Sequence, residues 1–481
     1  MMPPQSLSPG IARRAWWLFA AAVASSIPTL GFYLVGEEGI LINSSLEMWQ
    51  RGDWMRLWMY GVDAKHGVFA NWLVILLSSA VGWEHAPAAT RAIMILSTAG
   101  SGLLLAFLVF QLYRDAALAA LAAAICVTFA DILLYRGWLG YRDPLLAMLV
   151  FGAIAALWLS VAQRRTAWLT GTLLLTAAAF LTKGIIAYAF VGAAALVFLC
   201  QREARGFLLR PVPVLIALAT LAVPFLWAQA AGGDQSHNSR LVAEIGDKLA
   251  PLGGWAYLKN VVSYPLETLL RLSPVSLLVL WWLCSLWRAR QLESLKTWLT
   301  EPPVRTALII FSVAYIPFWL APQNHFRYVM PVLPLVAAVF AVVIAWQGET
   351  GVRTALRWLW AAVAIKLVLA TVAFPIYQQK FRGENYARTA KAVLQRTVGF
   401  PLYSNDTTAA GLSVTAYMNL QRLPLPALTF APAAWDNGYV TSYSPDAAEL
   451  RPAKVVAQYR LAGDTLYLYC KGKACLTKTL P

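Results

Sequence analysis

Four carboxylates follow the first apolar run of the chain, in the stretch GEEGILINSSLEMWQRGDW at residues 36–54. Glu37 and Glu38 are adjacent where the chain leaves the apolar run, and Glu47 and Asp53 follow. A carboxylate at such a boundary can act as a general base. Neighbouring residues on a helix point about 100° apart, so only one of Glu37 and Glu38 is expected to face a substrate. Alternatively, both acids stabilise the start of the following helix through its dipole. Glu47 and Asp53 are expected to shape and solvate the loop.

Two further polar residues stand next to apolar runs. Lys183, in LTKG at 181–184, lies within an apolar stretch, where an ionisable group is costly and usually functional. The alternative is a lysine that snorkels to the membrane surface. Asp143 follows Arg142 and precedes Pro144. Asp143 is a second candidate acid, or orients Arg142 or Lys183, or simply caps the next helix.

A metal site is a weaker hypothesis. His237, in GGDQSHNSR at 232–240, is a candidate ligand together with Glu37, Glu38 or Asp63. The metal would be a divalent ion such as Mg, Mn or Zn. A lone loop histidine is more often no ligand at all, and the sequence contains no tight cluster of His, Cys and Asp. Both interpretations stay open.

The composition predicts what carries these residues. Of the 481 residues, 59% are hydrophobic and 13% are charged, whereas soluble domains carry about a quarter charged residues. Apolar runs of about 20 residues recur along most of the chain, which is typical of a polytopic helical membrane protein. The net charge of +16 then indicates loops facing anionic lipid, and no nucleic-acid-binding motif is present. The first run lacks a cleavage site and is interpreted as a retained span.

The apolar runs predict about eleven membrane spans. They are expected at residues 15–35, 90–112, 116–134, 144–162, 166–182, 184–200, 208–230, 271–288, 304–322, 328–346 and 358–376. The run at 68–83 is shorter and is expected to be a re-entrant or surface-lying helix. Only that choice places most Arg-rich turns with the N-terminal Arg13 and Arg14 on the cytoplasmic side. The C-terminus is then outside.

This topology predicts a transmembrane domain over 1–377 with outward loops at 36–89 and 231–270. Nearly all the polar motifs converge on the outer face, which suggests an outward-facing site. Residues 378–481 are mixed in composition and are predicted to form a small extracytoplasmic α/β domain. In it, 384–398 has the pattern of an amphipathic helix, and FPLYSND and DTLYLYC have the pattern of strands. Cys470 and Cys475 flank a turn and are expected to form a disulfide if they lie outside the cytoplasm.

The order of these motifs resembles the GT-C class of membrane glycosyltransferases, in the branch of protein O-mannosyltransferases and lipid A aminoarabinose transferases. The resemblance covers about residues 10–376. The residues that carry it are Glu37-Glu38, Glu47-Met48, Gly52-Asp53-Trp54, Gly61 to Lys65, Asp143-Pro144, Leu181 to Gly184, and Arg327-Tyr328 with Pro331 and Pro334. Glu37 stands where Asp is usual and His66 where a Pro is usual. Ala64 replaces an acid that helps to bind metal in the aminoarabinose branch, and Asp63 is next to it.

The resemblance implies a polyprenyl-phosphate sugar as donor and a cell-envelope acceptor: a lipid A-type glycolipid, another glycan or a protein. Glu37 would be the favoured general base, by its position in the motif. The residues expected to bind the donor phosphate are Lys183, Arg327, Lys65, Arg142 and His325. The reaction would invert the anomeric centre, at the outer face of a bacterial inner (plasma) membrane.

Two other classes of function remain open. A lipid or lipid-linked-sugar transporter would carry its charges nearer mid-membrane, whereas these cluster at one surface. No internal repeat supports an inverted-repeat transporter. An envelope scaffold or ligase would have less need for Glu37 and Lys183 together.

Overall fold

The structure is a computed structural model, and it describes residues 7–64, 67–232, 253–288, 298–322, 325–461 and 463–476. The chain divides into two compact units. The first comprises Met1–Ile27 and Met94–Leu367, and the second comprises Pro28–Ile93 and Val368–Pro481. The second unit therefore joins an early segment to the C-terminal part of the chain. The boundary drawn at 377/378 from the sequence stays a prediction.

Helices dominate the described residues. They are α1 Pro9–Ala24, α2 Glu38–Arg51, α3 Phe69–Val81, α4 Ala86–Tyr113, α5 Ala116–Thr128, α6 Asp143–Gln163, α7 Ala167–Lys183, α8 Ile186–Cys200, α9 Arg202–Leu208, α10 Pro211–Ala230, α11 Gly254–Arg271, α12 Val275–Arg288, α13 Pro302–Leu320, α14 Leu333–Trp346, α15 Gly348–Val368, α16 Phe374–Lys380, α17 Glu384–Arg396 and α18 Ala409–Gln421. Local signals set several of their starts. Asp115 caps α5 by accepting the amides of Ala117 and Leu118, and α6 begins with Asp143-Pro144, where proline fits the first turn.

The helices of the first unit fit a bilayer. Among the described residues, six helices are long and apolar enough to cross a membrane, or eight if each of two bent helix pairs counts as one span. Only 6% of the most apolar window of α10 is buried within the protein. A helix that is apolar all round and hardly covered by protein requires lipid around it. The chain is a multi-pass membrane protein, and the count of eleven spans stays a prediction.

Two segments differ from ordinary spans. Residues 68–83 contain α3, whose 13 residues extend about 20 Å, less than the ~30 Å of a bilayer core. The loop predicted over 231–270 contains α11 in its second half, joined to α12 at a bend of 105°. Trp255, Leu258 and Val262 recur at helical spacing along α11 and are exposed, so this helix has an apolar face.

The described residues of the second unit form two β-sheets. The strands are β1 Trp58–Met59, β2 Val62–Asp63, β3 Leu402–Ser404, β4 Gly438–Ser442, β5 Lys454–Leu461 and β6 Asp464–Lys471. The first two form an antiparallel pair, and the others form a sheet in the order β3-β4-β6-β5 in which only the β3–β4 pair is parallel. Helices α17 and α18 pack on this sheet around a core that includes Val414, Met418 and Leu468. Cys470 and Cys475 form the expected disulfide.

Close backbone contact joins α2 to α18. A Cβ added at Gly39 would clash with the carbonyl oxygen of Leu412 and would lie 2.8 Å from the amide nitrogen of Ser413. The Asn43 amide donates to that same Leu412 carbonyl at 3.0 Å. Helix α3 packs on the middle of α2, where the Asn71 amide donates to the hydroxyls of Ser44 and Ser45. Residue 39 must therefore be glycine for the two helices to meet.

We expect Gly39→Ala to lower the thermal unfolding temperature of the purified protein, because the new methyl group must push two backbones apart. The cost of overpacking is about 1–3 kcal/mol, and rigid backbone atoms favour the upper end. Gly192→Ala in α8 is the matched control, since its Cβ would meet nothing within 4 Å. Unfolding followed by tryptophan fluorescence in detergent gives the comparison. Equal unfolding temperatures for the two variants would contradict the close packing of α2 on α18.

Candidate active site

Glu38 is held by an arginine in the second unit. Its side chain is 1% exposed and that of Arg91 is fully buried. Arg91 Nε donates to Oε1 of Glu38 at 2.8 Å, and Nη2 donates to Oε2 at 2.5 Å. The amide of Val35 also donates to Oε2, at 2.9 Å. Both carboxylate oxygens are thus engaged, which leaves Glu38 poorly suited to accept a proton from a substrate or to ligate a metal.

The rest of the Arg91 guanidinium binds the backbone before α2. It donates to the carbonyl oxygens of Thr29, Phe32 and Tyr33 at 3.0, 2.6 and 2.9 Å. An arginine has five N–H donors, and together with the two bonds to Glu38 these contacts use all five. Arg91 therefore neutralises Glu38 and fixes the chain that leads to it. We call residues 33–38 the acid loop.

Glu37 differs from its neighbour because its side chain is exposed. It is the N-cap residue of α2, but its side chain makes no capping hydrogen bond. Glu37 therefore does not cap the helix through its side chain. Glu38 lies in the first helical turn, where the helix dipole favours a negative charge. Of the two acids, Glu37 has the geometry of a group that can meet a substrate. Its catalytic assignment stays a prediction.

Glu47 and Asp53 shape the loop after α2, as expected. Glu47 is buried, pairs with Arg51 at 2.8 Å and accepts the amide of Gly61 at 2.9 Å. Burial raises its pKa, partly offset by Arg51. Asp53 accepts the amides of Met55 and Arg56 and the indole N–H of Trp58. Slight burial alone would raise the pKa of Asp53, but these hydrogen bonds bring it below its usual value.

The metal hypothesis finds few ligands. Asp63 lies on β2, paired in register with Trp58, while Lys65 and His237 lie outside the described residues. Across the described ranges, no three His, Cys, Asp or Glu side chains are grouped to hold a metal ion. Glu38 is occupied by Arg91. The described residues do not form a metal site.

The first unit brings the predicted cations together. Lys183, the last residue of α7, forms an ion pair with Asp143, the first residue of α6. Asp143 is buried, whereas the Lys183 side chain is 28% exposed. This contact agrees with Asp143 as the residue that orients Lys183. The lysine ammonium is thereby held in place yet stays accessible to an anion.

The ring of Tyr328 organises the cations further. Nζ of Lys183 lies 5.3 Å and Cζ of Arg327 lies 5.4 Å from its centroid, distances typical of cation–π contacts. The exposed His325 ring is 5.9 Å away, and Arg142 directly precedes α6. Lys183 and Arg327 thus lie at one aromatic ring, and Lys183 is also paired with Asp143, an arrangement suited to binding an anion. Of the predicted phosphate-binding residues, only Lys65 cannot be placed.

A second ionic group lies in the same unit and was not predicted from the sequence. The buried carboxylate of Asp131 pairs with Arg136 at 2.8 Å and also with Arg271. Cζ of Arg271 lies 5.3 Å from the ring centroid of Phe326, next to Arg327 in sequence. Asp131 and Arg136 are close in sequence, but Arg271 is 140 residues from Asp131. The usable signal was Asp131 itself, a carboxylate within a predicted span.

Another missed residue is Lys366 on α15. Its side chain is fully buried, and its ammonium lies 4.6 Å from the ring centroid of Trp138, with no hydrogen-bond partner within the described part of the chain. Trp138 belongs to the turn that leads to Arg142 and Asp143. An ionisable residue in an apolar span was again the available signal.

An apolar cavity of about 380 Å³ lies among α7, α8, α9 and α10. Leu169, Val191, Pro213 and Leu221 are among its lining residues. Tyr188, also in the lining, donates its hydroxyl hydrogen to the carbonyl of Thr220. The cavity offers mainly hydrocarbon surface, as a lipid chain requires.

We expect Arg91→Met to destabilise the protein strongly, because it leaves the Glu38 carboxylate buried without its partner. Breaking a buried ion pair from one side costs about 3–5 kcal/mol. The double variant Arg91→Met/Glu38→Leu removes both charges and should recover part of the unfolding temperature. Thermal unfolding in detergent measures both. A double variant less stable than Arg91→Met would show that the pair does not act as a unit.

The fold has solved counterparts, although no protein-family model and no curated protein sequence matches the chain. ArnT from Cupriavidus metallidurans, solved with undecaprenyl phosphate bound, matches with a TM-score of 0.69 and 17% identity over 94% of this chain and 97% of that one. Its apo form matches with a TM-score of 0.68 and 17% identity over 96% and 99%. The oligosaccharyltransferase AglB from Archaeoglobus fulgidus matches with a TM-score of 0.48 and 12% identity over 89% and 70%. The chain has the ArnT fold, which confirms the fold expected from its resemblance to the membrane glycosyltransferases.

Proposed function

We propose that this protein is a membrane glycosyltransferase that moves a sugar from a polyprenyl-phosphate donor to a cell-envelope acceptor. The observation that carries the proposal is the cation group of Lys183 and Arg327 at the Tyr328 ring, with Lys183 paired to Asp143, in a chain with the ArnT fold. ArnT binds undecaprenyl phosphate in the solved complex, and a polyprenyl phosphate needs both an anion site and hydrocarbon surface. The cation group supplies the first, and the apolar cavity among α7–α10 offers the second.

Glu37 is the general base in this proposal. It takes the proton from the acceptor hydroxyl as the acceptor oxygen bonds to the anomeric carbon. The bond from that carbon to the phosphate oxygen breaks at the same time, and polyprenyl phosphate leaves with the electron pair. Direct displacement inverts the anomeric centre. Glu37 is exposed and suits this role better than Glu38, whose two carboxylate oxygens both accept hydrogen bonds from Arg91.

The cations stabilise the leaving phosphate. Arg327 can contact phosphate oxygens in a bidentate manner, whereas Lys183 acts as a point charge. The buried Asp143 fixes the ammonium of Lys183, so little reorganisation is needed when negative charge develops. His325, Arg142 and Lys65 complete the set of residues proposed to bind the phosphate. Asp143 thus acts through Lys183 and not as a second base.

The reaction is proposed to take place at the outer face of a bacterial inner membrane. The disulfide between Cys470 and Cys475 supports an oxidising compartment for the C-terminal region. The acceptor is a lipid A-type glycolipid, another envelope glycan or a protein. The hypothesis of a divalent metal held by Asp63 and His237 is checked by running the same assay with and without EDTA.

We expect the purified protein to release polyprenyl phosphate from a radiolabelled polyprenyl-phosphate sugar and to glycosylate an envelope fraction. Glu37→Gln and Lys183→Ala should each lower turnover by about 100-fold or more, the usual contribution of a general base or a charge clamp. Glu84→Gln, at an exposed acid of the second unit, is the control and should keep wild-type turnover.

Two results would contradict the assignments. Wild-type turnover in both Glu37→Gln and Lys183→Ala would remove these residues from the mechanism. Movement of intact donor across proteoliposomes without release of polyprenyl phosphate would favour the transporter instead.

We expect a cysteine at Arg165 to be protected from a membrane-impermeant maleimide in intact cells. A cysteine at Glu449 should be labelled by the same reagent once the outer membrane is permeabilised. Both positions are exposed in the structure. The background should lack Cys126, Cys200 and Cys284, which are free thiols, but keep the disulfide pair. Labelling at 165 from outside would overturn the topology.

A further inference from the structure

Helix α18, in the C-terminal part of the chain, binds the backbone of the acid loop directly. The hydroxyl of Tyr417 accepts the amide hydrogen of Leu34 at 2.8 Å. The hydroxyl of Ser413 donates to the carbonyl oxygen of Gly36 at 3.0 Å. These partners are 383 and 377 residues apart in sequence. The loop that carries Glu37 is thus tied to a helix from the other end of the chain.

Gln378 adds a third tie. Its carbonyl oxygen accepts the amide of Tyr33 at 3.1 Å, and its amide donates to the carbonyl of Tyr33 at 2.9 Å. This side chain pairs with the backbone as a neighbouring strand would. The C-terminal part of the chain therefore satisfies four backbone groups within residues 33–36, immediately before Glu37.

Water cannot easily replace these contacts. Ser413 and Gln378 are 0% and 4% exposed, and burial raises the pKa of Tyr417 to about 12, so its hydroxyl stays neutral. A buried backbone group that loses its hydrogen-bond partner without gaining water destabilises the loop conformation. The acid loop is consequently held from two directions, by Arg91 on one side and by Tyr417, Ser413 and Gln378 on the other.

We propose that Tyr417, Ser413 and Gln378 are positioning residues for the reaction, because they fix the backbone of residues 33–36 and so aim the Glu37 carboxylate. The C-terminal region is then a working part of the active site. This inference rests on the proposed function for its catalytic consequence, but not for the contacts themselves. A misplacement of about 1 Å in a reacting group can cost about 100-fold in rate, so lost ties should appear in turnover.

The test compares two tyrosines of the same unit. Tyr417→Phe removes the hydroxyl that holds Leu34. Tyr469→Phe removes a hydroxyl on β6 that likewise hydrogen-bonds the backbone, donating to the carbonyl of Ser444 at 2.7 Å, but that lies outside the acid loop. We expect Tyr417→Phe to lower kcat by about 10- to 100-fold with the KM for donor lipid within about twofold, and Tyr469→Phe to change neither. Equal kcat values in the two variants would overturn the proposal.

Hydrogen exchange of the backbone amides supplies a readout that does not depend on activity. The amides of residues 34–38 should exchange faster in Tyr417→Phe than in wild type or Tyr469→Phe, and unchanged protection would overturn the inference. If Tyr417→Phe does not fold, Ser413→Ala gives the same two readouts without adding volume. A wild-type protein without turnover would refute the proposed function, whereas normal turnover in the positioning variants would refute the inference alone.

Discussion

The arrangement of the acid loop depends on one interaction, the buried ion pair between the Arg91 guanidinium and the Glu38 carboxylate. A fully buried cation is tolerated only when its charge and all its donors are satisfied, and Arg91 meets that condition with one carboxylate and three carbonyl groups. The same five hydrogen bonds determine where Glu38 and the preceding turn can lie. Because residue 38 is held inward, its neighbour Glu37 is turned outward at the start of α2. One buried ion pair therefore separates two chemically identical side chains into a structural and an accessible one.

The first unit repeats this logic with the charges exchanged. There the buried residue is the carboxylate of Asp143, and the accessible residue is the cation of Lys183. In both cases a buried partner orients polar groups that would otherwise be free to rotate, at the edge of an apolar region where water competes weakly. An aromatic ring also helps to orient the cations, since Tyr328 makes cation–π contacts with both Lys183 and Arg327. Preorganised charge of this kind is what a reaction with an anionic leaving group requires.

In the second unit, the C-terminal region of the chain packs against a segment near the N-terminus. Helix α18 contacts α2 so closely that Gly39 must lack a side chain, and its hydroxyl groups bind the acid loop. The ArnT fold extends over 94% of this chain at 17% identity, so the architecture is maintained although few residues are shared. Such a fold leaves the chemistry to a small number of side chains.

Composition and hydropathy by themselves determined the class of protein, most helices and the candidate acids and cations. These signals are local, because the solvent preference of a segment is set by its own residues. The Cys470–Cys475 disulfide and the helix at 384–396 could be predicted from the sequence for the same reason. Tertiary structure alone decided that Glu38, and not Glu37, is buried against Arg91. It also decided that Asp131 pairs with Arg271 and that Tyr417 binds Leu34. The two residues of these three pairs are 53, 140 and 383 positions apart in the sequence. Pairing over such distances is set by how the helices pack, and no local pattern in the sequence encodes that packing.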